Sequence, residues 1–184
     1  GLRAEGLKVH AIVAAWDWPS YMSPEALKSG IKVRTSSYTR HHPNITMTKA
    51  KANGNYINSM LALREALDCG CEEALMLDVD GFIAEGSGEN VFIVRDGVVY
   101  TPELSACLDG ITRKTVINLA EKAGYKIVEK RITRDEVYVA DEAFFTGTAA
   151  EVTPVSCITD NQFKVCETII DLNKSYQALV RKNK

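Results

Sequence analysis

Residues 78–101 read DVDGFIAEGSGENVFIVRDGVVYT. The pairs Asp80-Gly81 and Asp96-Gly97 are hairpin signals, because both residue types accept the backbone conformations that tight turns impose. The runs at 91–94 and 98–101 on either side of the second pair are β-branched and apolar, as strands require. Outward from this middle, the same composition predicts strands at 8–16, 31–37, 73–78, 126–132, 142–146 and 153–158. Three other stretches carry apolar residues at helical spacing: near 56–69, ending at Gly70; from after Gly110 to near Gly124; and about 166–181. Strands and helices are mixed without strict alternation, which favours an α+β or barrel-like arrangement over a doubly wound parallel sheet. The apolar segment from Val9 to Trp16 reads as a buried strand with neighbours on both sides. Because the chain opens on it without Met, further chain is expected before Gly1.

With 46% hydrophobic residues in 184, the chain has material for one soluble core. Its net charge is only −2 and its lysines are scattered. That argues against nucleic acid as a partner, since neutralising phosphates takes concentrated positive charge. No apolar run approaches bilayer-spanning length and no signal pattern opens the chain, so a cytoplasmic, non-membrane protein is expected. The five cysteines are an odd number and do not resemble the framework of a small secreted domain; reduced thiols are expected. Cys69-Gly-Cys71 has no second Cys/His pair at finger spacing, so no metal is expected.

Four segments hold residues capable of chemistry. In TKAKANGNYINSM (48–60), Lys49 and Lys51 precede a glycine turn and a helix. A lysine ending a strand inside a concave site can be desolvated enough to react, whereas one on a solvated face only adds charge. Alternation leaves both readings open, since residues two apart on a strand share a face. In GFIAEGSGENVFIVRDG (81–97), Glu85 and Glu89 flank glycines that permit tight turns beside a ligand, although a wide hairpin with solvated acids fits equally. DGITRKTVINLA (109–120) sets Ile111 and Thr112 at a helix start, suited either to binding an anion such as phosphate or to ordinary capping. FTGTAAEVTPV (145–155) ends a strand where Thr148 offers a hydroxyl and a backbone N–H.

In this order the four segments resemble the fold-type IV pyridoxal-phosphate enzymes, which include branched-chain aminotransferases, D-amino-acid aminotransferases and aminodeoxychorismate lyases. The resemblance spans nearly the whole chain. It implies a mixed-strand pseudo-barrel flanked by helices, with residues 1–184 forming the cofactor-binding large domain. In KANGNY it identifies Lys51 as the lysine covalently linked to pyridoxal phosphate and leaves Lys49 a neighbour. Tyr56 matches the tyrosine bonded to the cofactor's phenolic oxygen, and Glu85 matches the acid paired with the pyridine nitrogen. Glu89 and Asn90 match supporting positions around it. Ile111 and Thr112 match the phosphate cup, closed by Thr148.

TGTAAEVTPV and WPSY resemble the branched-chain enzymes in particular. Trp18 and Tyr21 then become walls of an apolar side-chain pocket, with Thr148 and Ala149 also at the substrate, although plain core packing fits both aromatics. Arg40 matches an arginine on the approach to the lysine, in a supporting role. The family's glycine-rich stretch before the last helix is replaced by DNQFKVCETII. A small N-terminal domain of about a hundred residues, supplying an arginine to the cofactor phosphate and groups for the substrate carboxylate, has no counterpart in the 184 residues. The implied activity of the complete protein is transamination between leucine, isoleucine or valine and 2-oxoglutarate, by a homodimer or higher homo-oligomer in branched-chain amino acid biosynthesis. D-amino-acid transamination, lyase chemistry, or a catalytically silent domain of this fold remain alternatives.

Overall fold

In the segment Asn90-Val-Phe-Ile-Val-Arg95 every residue but the last is buried, although a strand exposes its side chains alternately to two faces. Both faces must therefore be covered. The computed structural model, which describes residues 2–18 and 21–181, shows how. Helix α1 (Pro24–Ser29) leads into β1 (Ile31–Thr39), a 3-10 turn (Asn53–Tyr56), α2 (Ile57–Asp68) and β2 (Glu73–Leu77). Next come β3 (Ile83–Gly86), β4 (Asn90–Arg95), β5 (Val98–Pro102), α3 (Ile111–Lys122), β6 (Lys126–Lys130) and α4 (Arg134–Tyr138). β7 (Glu142–Gly147), β8 (Glu151–Ile158), β9 (Asn161–Gln162) and α5 (Glu167–Val180) follow.

The strands form one nine-stranded sheet in the order β3-β2-β1-β8-β7-β4-β5-β6, with β9 on β8. β1 is parallel to both β2 and β8, and β5 is parallel to β6; the remaining pairs are antiparallel. Parallel neighbours need a crossover, and α2 and α3 supply it for β1/β2 and β5/β6. Asp96 and Gly97, at φ 50° and 72°, make the tight turn between β4 and β5. The sheet curls until its two edges meet, where the Ile83 N–H donates to the Ile132 carbonyl just past β6 at 2.8 Å.

This curled sheet explains β4. Val91 and Ile93 face the inside of the curl with Ile31, Val33, Leu75, Phe145 and Val155. Phe92 and Val94 face outward beneath α3 and α5, against Val116, Ala120, Ile169 and Leu172. β7 divides in the same way, and its Phe144 stacks on Phe92 with ring centroids 4.8 Å apart. Helix α2 lies close to β2 because Ala62 and Ala66 meet Ala74 and Met76, and small side chains allow close approach.

The mixed-strand pseudo-barrel flanked by helices that the sequence implied is present as a curled half-barrel sheet with helices against it. The strand expected at 8–16 is not: those residues form no strand, and Val9, Ile12 and Val13 are each at least 87% exposed. An apolar run becomes a strand only when an edge accepts its hydrogen bonds, and none among the described residues does. The structure adds β3 and β9, and also α1 and α4, whose start signals were readable: Ser23 accepts the Ala26 N–H ahead of Pro24, and Thr133 forms a capping box with Glu136. No described helix is long and apolar enough to cross a membrane. All five cysteines are free.

Gly30, where α1 turns into β1, has φ +82°, and a Cβ there would lie 2.7 Å from the Ser156 backbone nitrogen. Gly30→Ala combines left-handed strain with a backbone clash and should cost about 2 kcal/mol. Urea unfolding with an unchanged slope and a lower midpoint is the expected result; an unchanged midpoint would refute the contact.

Candidate active site

The chain leaving β1 loops back before the 3-10 turn, and Lys51 stands at the end of that loop, in irregular backbone instead of at a strand end. The buried Asn55 closes the loop, its side-chain nitrogen donating to the carbonyls of Met47 and Ala50, each at 2.9 Å. Lys51 is exposed, and its Nζ donates to Tyr56 Oη at 3.1 Å. Lys49 points elsewhere: its ammonium donates to the carbonyls of Leu104 and, at 3.0 Å, Cys107. The two lysines that alternation left equivalent thus have different partners.

Lys51 opens on a cavity of about 210 Å³ that is also lined by Lys49, Gly88, Asn90, residues 108–112 and residues 146–148. The start of α3 forms one wall. Gly110 caps that helix without any side-chain hydrogen bond. A helix start whose N–H groups lack a side-chain acceptor, beside two lysines, favours an anion. Thr112 is buried, whereas the Ile111 side chain is exposed. A Cβ at Gly110 would lie 2.2 Å from Asn90 Oδ1, so the close approach of this turn to β4 requires glycine. Asn90 in turn donates to the Leu108 carbonyl at 2.8 Å.

Glu85 does not line the cavity but lies beneath it, 6% exposed. Arg40 Nε is 2.5 Å from Glu85 Oε1, and the Leu108 N–H donates to Oε2 at 3.0 Å. Burial pushes this carboxyl above the usual carboxylate range; Arg40, the Leu108 N–H and the charges of Lys51 and Lys49 pull it back. Arg40 was expected only to support the approach to the lysine. The structure places it, 4% exposed, as the ion-pair partner of Glu85.

Thr148 borders both this cavity and a second one of about 560 Å³, lined also by Trp18, Tyr21, Met22, Ala149, Glu151 and Arg181. The aromatics and the Thr148-Ala149 pair, far apart in sequence, are therefore neighbours in space. Trp18 and Tyr21 are not core residues, being 62% and 43% exposed. Glu89 is buried on β4's approach, against Gly86 and Gly147.

Thr146 was missed by the sequence reading. Its hydroxyl is buried without a hydrogen-bond partner among the described residues, and the residue lines the smaller cavity. A lone threonine inside an apolar strand carries no local signal of this. The ties through Leu108 were missed for a similar reason, because they use backbone groups.

The donor set suits a phosphorylated aromatic aldehyde: an accessible amine, an uncapped helix start, hydroxyls at Thr112, Thr146 and Thr148, and a carboxyl set deeper. The family described as amino-transferase class IV matches residues 2–158. A branched-chain-amino-acid aminotransferase of Pseudomonas aeruginosa strain PAO1 is 71% identical over 155 residues, covering 84% of this chain and 50% of that protein. The branched-chain aminotransferase of Thermoproteus uzoniensis solved with norvaline superposes with a TM-score of 0.86 at 42% identity, over 91% of this chain and 55% of that one. The branched-chain amino acid aminotransferase of Thermobaculum terrenum, solved in its PLP-form, gives a TM-score of 0.84 at 37% identity, over 90% and 55%. The chain spans about half the length of the curated relatives it matches.

Removing one partner of a buried ion pair leaves the other charge uncompensated, at a cost of about 3 kcal/mol. Arg40→Gln should therefore lower stability by that order. Arg40 holds the Glu85 carboxyl down, so in the variant it rises further above its unfolded value. A raised folded value means stability present at low pH and lost as pH rises. The gap between variant and native chain in urea should accordingly widen from pH 5 to pH 8; a gap that narrows would refute the pairing.

Proposed function

The chain belongs to the class IV aminotransferases, and from that membership we propose that it binds pyridoxal phosphate through Lys51 and serves amino transfer from leucine, isoleucine or valine to 2-oxoglutarate. The observation that carries the proposal is the convergence of Lys51, Asn90, Thr112, Thr146 and Thr148 on one cavity at the start of α3.

When bound, pyridoxal phosphate supplies an electron sink that makes the α-proton of an amino acid removable. The chain's own residues do the rest. The α3 N–H groups, with the hydroxyls of Thr112 and Thr148, hold the phosphate by hydrogen bonds and the helix dipole. Tyr56, within hydrogen-bond reach of Lys51, donates to the phenolic oxygen and keeps the amine beside the reacting carbon. Displaced by substrate, Lys51 takes the α-proton as general base and returns it at C4′ as general acid. Glu85 holds a proton at the pyridine nitrogen. Two contacts already engage its oxygens, but each carboxylate oxygen has a second lone pair free to accept.

Substrate choice falls to the larger cavity. Trp18 and Tyr21 give it an aromatic wall suited to an aliphatic side chain, and Thr148 and Ala149 join it to the cofactor's cavity. The branched-chain-amino-acid aminotransferase at 71% identity supports this choice of substrate.

Borohydride reduction after incubation with pyridoxal phosphate, followed by peptide mapping, tests the attachment. The label is expected on Lys51 and absent from Lys49, whose ammonium is held by the Leu104 and Cys107 carbonyls. Labelling mainly at Lys49, or none, would count against the site. Transfer is read in the complete protein as glutamate formed from 2-oxoglutarate and L-leucine, where Lys51→Ala should abolish it; the 184 residues alone are expected to show little or no turnover.

A further inference from the structure

Glu73, the first residue of β2, is fully buried. Its Oε1 accepts the N–H groups of Ala74 at 2.6 Å and Ser87 at 3.0 Å. Its Oε2 is buried and receives no donor among the described residues. An unsatisfied carboxylate oxygen of this kind costs free energy unless a proton reaches it. The group in hydrogen-bonding contact with Glu73 is a second carboxyl, Glu89, 6% exposed. Glu89 is admitted by two glycines: a Cβ on Gly86 would lie 3.2 Å from its Oε2, and one on Gly147 3.2 Å from its Cγ. Its Oε2 accepts the Gly88 N–H at 3.1 Å.

We propose that Glu73 and Glu89 share one proton and act as a positioning pair, clamping the Ser87-Gly88 turn that joins Glu85 to Asn90. Glu89 carries the proton and donates it to Glu73 Oε2, while Glu73 Oε1 holds the Ser87 N–H. One clamp therefore reaches both ends of the turn, with Glu85 two residues before Ser87 on β3 and Asn90 two residues after Gly88 at the start of β4. The consequence for the cofactor rests on the reading of Glu85 given above, but the shared proton does not.

The surroundings agree. Burial pushes the Glu89 carboxyl up to about 9, and the negative charges of Glu73 and Glu85 push in the same direction. The Tyr21 hydroxyl is raised by burial and then by the charges of Glu89 and Glu73. Around neutral pH one of the two buried acids therefore remains protonated, since two carboxylates in contact cannot both ionise cheaply.

Infrared spectroscopy of the purified chain at pH 7 tests the proton. A carboxylic-acid C=O band should be present in the native chain, lost in Glu89→Gln and retained in Glu85→Gln. The amide introduced by Glu89→Gln would still donate to Glu73, so the fold should survive. A native chain without the band, or a band lost only in Glu85→Gln, overturns the pair. If Glu89→Gln fails to fold, carbon-13 NMR of glutamate-labelled native chain decides: one carboxyl should titrate near 9, and none titrating above pH 7 refutes the proposal. The clamp is read by hydrogen exchange at the Ser87 and Gly88 amides. Exchange at Gly88 should stay slow in Glu89→Gln and become about tenfold faster in Glu89→Ala, where the acceptor of its N–H is lost, and Ser87, held by Glu73, should quicken with it as the pair loosens. Equal rates in Glu89→Ala and the native chain would sink the positioning role. A pyridoxal-phosphate spectrum indifferent to Glu85→Gln would instead remove only the proposed role of Glu85, leaving the pair intact.

Discussion

The buried ion pair between Arg40 and Glu85 is the contact on which the site's assembly depends. Arg40 follows β1, its backbone N–H donates to the Leu77 carbonyl at the end of β2, and its Nη1 donates to the Asn55 carbonyl within the 3-10 turn. Glu85 lies on β3 and accepts from Leu108, in the loop that leads to α3. One guanidinium and one carboxylate thus bring four separate stretches of chain to a single point, and the Arg40 backbone adds the end of β2. Arginine suits this task because its donors are spread over a rigid fork that serves several acceptors at once. Desolvating both charges is expensive, so the pair specifies geometry more than it adds stability.

Around that point, backbone groups do much of the positioning, and glycine makes their approach possible. Gly110 lets the start of α3 close on Asn90, while Gly86 and Gly147 leave room for Glu89. The loop before α3 is held by Lys49 through the Leu104 and Cys107 carbonyls and by Asn90 through the Leu108 carbonyl. Its Leu108 N–H is then correctly placed to serve Glu85. A lysine that is not itself at the reactive position therefore contributes through the loop it restrains.

Charge is layered in the same region. Lys49 and Lys51 stand at the cavity, and the buried acids Glu85, Glu89 and Glu73 lie deeper. The inner curl of the sheet is apolar, and burial raises the Glu85 and Glu89 carboxyls and makes each hydrogen bond to them count for more. Outside the sheet, α3 and α5 cover an entirely separate apolar cluster. The residues of β4 and β7 alternate between these two environments, so the strands that support the site are buried on both faces.

Much of this was legible from the sequence. The strands of the sheet's middle, the three long helices, the Asp96-Gly97 turn and the family resemblance rest on local composition and short motifs, which act within a few residues. Of the residues named from such motifs, Trp18, Tyr21, Thr148 and Ala149 line the larger cavity and Lys49, Lys51, Asn90, Ile111, Thr112 and Thr148 the smaller, while Tyr56 and Glu85 line neither. Local pattern failed where pairing partners decide. Residues 8–16 have strand composition but no accepting edge among the described residues, and nothing local in Glu72-Glu73 marks Glu73 as fully buried. It also could not separate Lys49 from Lys51, or show that Arg40 meets Glu85, that Thr146 faces the cavity, or that Glu73 meets Glu89. Those relations join residues far apart in the chain, and only the curl of the sheet, which brings β3 back to the segment after β6, sets the distances and the burial that give them their chemistry.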